Sequence, residues 1–345
     1  MRKFHVLLIS LVLTTLLGCN SNPLQIDVSD VDLELEFYNL DTDMNQAKTK
    51  EDFQSINNEC KTEFGDFYEY YSAEILRIGK PNDDFVADGL MKFRNDKYMS
   101  RIFKESSNLI DDREKLNEEI TVMFKHLKHH LPQTKMPSKV MYWNSLFTNS
   151  ILPSGRVADD HSILAVGLER YLGSSKLYDS LPSPPHYEYI KKKYDKRYLK
   201  SDMAKSWILA HVLKEGKRED FLAELIFNGK MMYVTEAMNP EMSPANLLRF
   251  SDEDYAWAID KERIAWEYLI KNNLIYSTDP ARIRDFFNMS PFTQGLPEKA
   301  PGQIGVFVGW KIVQSYMEAN PEVTIEDLVA ENNNQKILKG YKINE

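Results

Sequence analysis

The sequence predicts an α+β fold, predominantly α-helical with a small sheet. Three observations predict it. Apolar residues recur at helical spacing through most of the chain, and only a few short segments read as strands. The composition is globular, with 345 residues that are 43% hydrophobic, 12% aromatic and 28% charged. That supports a sizeable core and excludes a disordered, collagen-like or disulfide-stapled chain. The formal charge of −9 at pH 7 argues against a nucleic-acid partner, which needs a basic face to displace counterions. The local run Lys191-Lys192-Lys193 does not reverse this.

The first segment reads as an address. Arg2 and Lys3 precede an apolar run from Phe4 to Leu17, shorter than the roughly 20 residues a membrane helix needs. A charged start and a short apolar core make a secretory signal. It ends Leu16-Leu17-Gly18-Cys19, which resembles the bacterial lipobox, where the cysteine thiol takes a diacylglycerol before cleavage. The expected organisation is a leader over 1–18, an acylated Cys19 with a short polar tether over 19–29, and one domain over 30–345. The first expected partner is therefore the lipid bilayer. A diacylated cysteine with its amino-linked chain carries more than one acyl chain, enough for stable anchoring. With Cys19 lipidated, Cys60 has no intrachain partner.

Val31, Leu33, Leu35 and Phe37 alternate with Asp30, Asp32, Glu34 and Glu36, which predicts a strand with one wet, acidic face. Such carboxylates discourage further pairing at a sheet edge. Phe67, Tyr70, Tyr71, Glu74 and Ile78 predict a helix, with Ile75 beside them. Leu116, Ile120, Met123, Phe124, Leu127 and Leu131 predict another that stops near Pro132. Lys139–Asn144 and Ser162–Val166 read as strands, and Pro182, Pro184 and Pro185 as a surface loop. Helices follow from about Ser201 to a C′ glycine at Gly216 and from about Glu219 to Met238. Ser251-Asp-Glu-Asp254 resembles a capping box opening a helix to about Asn272. Gln303–Ala319 and Thr324 to about Glu331 complete the series.

The chemistry-bearing patterns are sparse. A zinc peptidase needs two histidines one turn apart with a glutamate beside the first. His126 and His130 have the spacing, but Leu127 stands where the base belongs, and the pair reads as the basic last turn of a helix. His211 and Glu215 are one turn apart and read as an i, i+4 contact. His161 reads as a turn or capping residue. There is no Gly-x-Ser-x-Gly, and Asn228-Gly229-Lys230 lacks the flanking residues of a phosphate loop. No cofactor is expected. Glu262 shares a predicted helix face with Tyr255, Ile259, Trp266 and Leu269, so its carboxylate needs a partner. Gly302, Gly305 and Gly309 would form a smooth stripe beside Trp310, serving either close helix packing or a partner surface.

A resemblance adds to these readings. Leu225–Tyr233 with Asn239-Pro240 forms one block, followed by Phe250-Ser251, Trp257, Glu262 with Trp266, and Leu274–Asp279. Then come Pro291–Thr293, Pro301–Trp310, Ile312-Val313 with Tyr316-Met317, and Gln335–Leu338 with Tyr341-Lys342. In this order and spacing they resemble the gliding motility lipoprotein GldB family of Bacteroidetes. Ile163–Gly173 and Lys200-Ser-Asp202 fit as well. The resemblance implies a membrane-anchored lipoprotein of the cell envelope, needed for gliding and associated with the type IX secretion machinery, whose partners are other envelope proteins. The tether lacks the Lys-plus-acidic pattern that resembles the surface-export signal of that phylum, which points to the periplasmic side. The family also resembles, at a distance, predicted zinc-dependent proteases, so the fold is expected to be distantly zincin-like. The corresponding stretches are Met203–His211 and Phe227-Asn228-Gly229. The first lacks the His pair and Glu, and Asn228 replaces the acidic ligand, so no catalytic residue carries over. The expectation is a non-enzymatic component of the gliding apparatus. The alternatives are a zinc peptidase using His211 and Glu215, or a ligand-binding protein using a cleft near Asn228 and Glu262.

Overall fold

A short sheet divides the chain into two helical layers. The structure, a computed structural model, describes residues 22–148, 150–154, 162–173, 175–181, 187–214, 216 and 218–343. The leader, Cys19, His161, the loop prolines Pro182, Pro184 and Pro185, and Glu215 lie outside the described residues.

Strands β1 (Glu36–Tyr38), β2 (Lys139–Trp143), β3 (Ile151–Pro153) and β4 (Ile163–Gly167) form a sheet of order β1-β2-β4-β3. β1 and β4 lie parallel to β2, with Glu36 opposite Lys139 and Lys139 opposite Ile163, while β3 runs antiparallel to β4 along the far edge. The period-two side chains of β2 and β4 serve both faces. Val140, Tyr142, Leu164 and Val166 enter one core, and Met141, Trp143, Ile163 and Ala165 enter the other. A sheet covered on both faces explains why these strands read as continuous apolar runs.

The layer over the second face comprises α1 (Leu40–Gln46), α2 (Lys50–Tyr70), α3 (Val86–Asn95) and α4 (Met99–Ser107). The other layer is built from α5 (Arg113–His130), a short α6 (Glu188–Lys191), α7 (Leu199–His211) and α8 (Phe221–Met238). It continues with α9 (Pro244–Leu248), α10 (Asp252–Asp260), α11 (Glu262–Lys271), α12 (Pro280–Phe287), α13 (Ile304–Ala319), α14 (Ile325–Ala330) and α15 (Asn334–Leu338). The helical α+β expectation holds.

Several element boundaries differ from expectation. The strand predicted over 30–37 pairs only over Glu36–Tyr38, because β2 offers ladder partners only from Lys139 onward. The alternation survives as burial, since Leu33 and Leu35 are half-buried while Asp32 and Glu34 are exposed. The helix expected to reach Gly216 ends at His211, so Gly216 is not its C′ residue. The helix opening at Ser251 has its capping box, but breaks at Lys261 (φ −112°, ψ 15°) into α10 and α11. Ile259 is consequently exposed rather than on a shared buried face with Glu262.

Candidate functional site

The glycines of α8 and α13 bring two helix backbones together. A β-carbon on Gly229 would lie 2.2 Å from the Gly309 carbonyl oxygen, and one on Gly309 would lie 2.1 Å from the Leu225 carbonyl oxygen. Neither residue has room for a side chain. Beside the crossing, Trp310 Nε1 and Gln314 Nε2 both donate to Glu236 Oε2, at 2.9 and 3.1 Å. Burial pushes the Glu236 carboxyl above its ordinary range, and the two donors oppose that shift. Asn228 donates to the Glu224 carbonyl and side chain one turn earlier on the same helix.

The predicted glycine stripe divides among three neighbours. Gly302 precedes α13 and abuts the Ser290 carbonyl, Gly305 abuts Phe286 and Phe287, and Gly309 meets α8. Close packing, one of the two readings open from sequence, describes all three. Glu262 finds its partner in Tyr341, whose hydroxyl donates to Oε1 at 2.8 Å, and Trp266 packs edge-on against the same tyrosine. Asn228 and Glu262 thus belong to separate contacts.

A profile describing gliding motility protein GldB matches residues 21–343. The chain belongs to the gliding motility protein GldB family. Comparison with curated proteins and with solved structures returned no match. The blocks Leu225–Tyr233 and Pro301–Trp310 prove to be the two sides of the α8–α13 crossing in this GldB family member.

Three polar arrangements carried no local signal. Asp202 Oδ2 accepts from Tyr171 at 2.9 Å and from Arg249 Nη1 at 2.8 Å. This buried ion pair ties α7 to the left-handed cap of α9 (Arg249, φ 58°). Its members are 47 residues apart, so no spacing rule reaches them. Glu169 follows β4 and is fully buried. Its Oε1 accepts from Ser145 N at 2.8 Å, Ser145 Oγ at 2.6 Å and Phe147 N at 3.2 Å. Burial raises its carboxyl pKa against those bonds.

The third arrangement is a cleft of about 840 Å³, walled by Gln25–Asp27, by Glu118, Val122 and His126 of α5, and by Glu241 after α8. It sits beside the first described residues.

The histidines are placed as follows. His130 closes α5 with Lys128 and His129, and His126 lies one turn earlier; burial lowers the pKa of both His126 and His130, so neither is the dipole-facing cation the sequence reading expected. His211 ends α7 with its ring 4.2 Å from that of Trp207 and Nε2 buried without a partner, and burial lowers its pKa. Among the described residues no three His, Cys, Asp or Glu side chains gather as a metal-holding group. Among them, too, no helix is long and apolar enough to cross a membrane.

Proposed function

We propose that this protein is a lipid-anchored lipoprotein of the cell envelope, facing the periplasm, that serves gliding motility and the type IX secretion machinery through contacts with other envelope proteins and without catalysis. The near-full-length match to the GldB family carries the reading. The Leu16-Leu17-Gly18-Cys19 sequence supports acylation at Cys19. The non-catalytic part is supported by what stands on α7 and α8. These helices pack against each other, as the two ligand-bearing helices of a distantly related zinc protease would. Met203–His211 lacks the His pair and its Glu, Asn228 replaces the acidic ligand and bonds to Glu224, and Gly229 is pressed against Gly309. An ancestral metal pocket would thus have become a packing surface.

Crosslinking in intact cells, followed by purification through the C-terminus, tests the assembly role. Envelope proteins well above background are expected, and none would overturn it. One observation favours a second reading, a peptidase with an atypical metal site. His211 Nε2 is buried without a partner, its ring packed 4.2 Å from that of Trp207. Stoichiometric zinc in the purified protein, lost together with peptide cleavage in His211→Ala, would establish that reading instead.

A further inference from the structure

The segment expected as a free tether is laid onto the body within three residues of the proposed lipid. Asn22 Nδ2 donates to the Pro240 carbonyl at 3.2 Å, and Gln25 Nε2 donates to Glu241 Oε1 at 3.1 Å. Leu24 and Val28 are buried, Leu24 within the core that α5 and α8 share. Lys128 of α5 donates to the Asp32 carbonyl at 2.5 Å. From Asn22 to Asp32 the chain is therefore held against the domain.

We infer that the side of the domain bearing Asn22, Pro240 and the adjoining α5–α8 cleft faces the lipid headgroups at close range, in one orientation. The inference rests on the proposed acylation of Cys19. Three residues of fully extended chain reach at most about 11 Å, whereas a tether free to residue 29 would reach roughly 36 Å. A domain of this size has a radius of gyration of about 20 Å, so the short leash does not let it roll over. The bilayer-facing side carries three cations, Lys115, Arg197 and Lys200, against four carboxylates, Asp27, Glu118, Glu119 and Glu241. Mixed charge gives no polybasic attraction to anionic lipid, so the leash sets the orientation and added salt leaves it unchanged.

The test uses the lipidated full-length protein in phosphatidylethanolamine–phosphatidylglycerol vesicles containing nickel-chelating headgroups. In a Cys60→Ala background, nitroxides are placed at Val122→Cys, on the cleft, and at Phe85→Cys, before α3. Both positions are exposed, at 46% and 59%. Nickel-induced relaxation at 122 is expected to exceed that at 85 by fivefold or more, in low and high salt alike. A twelve-residue Gly-Ser insertion between Ser21 and Asn22 is expected to bring the ratio near one. Equal relaxation without the insertion, or an undiminished ratio with it, overturns the inference. Mass spectrometry of the N-terminal peptide separates the two levels. An unacylated Cys19 removes the anchor reading itself, whereas an acylated Cys19 with equal relaxation removes only the orientation.

Discussion

The backbones of Gly229 and Gly309 touch with no side chain between them. Alanine at either position is therefore expected to destabilise the fold by about 1–3 kcal/mol, the usual cost of overpacking. That cost outweighs the gain of about 1 kcal/mol in helix propensity over glycine. A β-carbon on Gly216 would meet no atom of the described residues within 4 Å, so Gly216→Ala is the control and should leave the urea midpoint unchanged. A raised midpoint in Gly309→Ala would contradict the close crossing.

Asp202 and Arg249 form a buried pair whose separation strands a charge. Asp202→Ala is expected to cost about 3–5 kcal/mol, since removing one partner leaves the other uncompensated. Tyr171→Phe removes one donor and should cost about 1 kcal/mol. Urea unfolding of the two variants checks the ranking, and equal costs would show that the ion pair is not the stronger member.

His130 gives stability a pH dependence on the acid side. Burial first, then His129 and His126, pushes its pKa down from 6.5 to about 4. Between those values the unfolded chain binds the proton more readily than the folded one. The stability held above pH 6.5 is therefore lost as pH falls toward 4. The ring is partly exposed, so the span is about 1–2 kcal/mol after allowing for solvent screening. His130→Gln should flatten this part of the curve, and an unchanged slope from pH 6.5 to 4 would exclude His130 as its source.

Glu236 accepts from both Trp310 and Gln314, and its burial favours the uncharged carboxyl. Glu236→Gln keeps an acceptor of similar shape and should cost under about 1 kcal/mol. Glu236→Ala leaves two donors unpaired and should cost about 2 kcal/mol or more. Tryptophan fluorescence during thermal unfolding reads the stability of both variants. A similar loss in each would mean that the charge, rather than the acceptor, matters.

The parts of the fold legible in sequence were those written in local periodicity. α5 runs from its Asp112 cap to His130 and stops before Pro132, and α8 and α13 fall within two residues of their predicted starts. The stop of α7 at His211 was not legible, because nothing between there and Gly216 breaks a helix locally. α2 begins at Lys50 behind a Thr49–Asp52 capping box, well before the aromatic stripe that announced it. β3 escaped notice because an edge strand of three residues carries no pattern. The site shows the same division. Glu262 announced its need for a partner, but Tyr341 lies 79 residues away, and only the folded chain joins them. Gly229 and Gly309 were each singled out, on different grounds, and the crossing unites them.

Cys60 sits buried on α2, where lost solvation and nearby carboxylates hold its thiol protonated. A protonated, enclosed sulfur is a poor nucleophile, so the finished fold protects it from oxidants without a bonding mate. Protection begins only once α2 is covered. If the chain folds in the oxidising periplasm, as proposed, the vulnerable interval is the time between emergence of the chain and closure of that layer, and variants that slow its closure should accumulate mixed disulfides even when their final stability is unchanged.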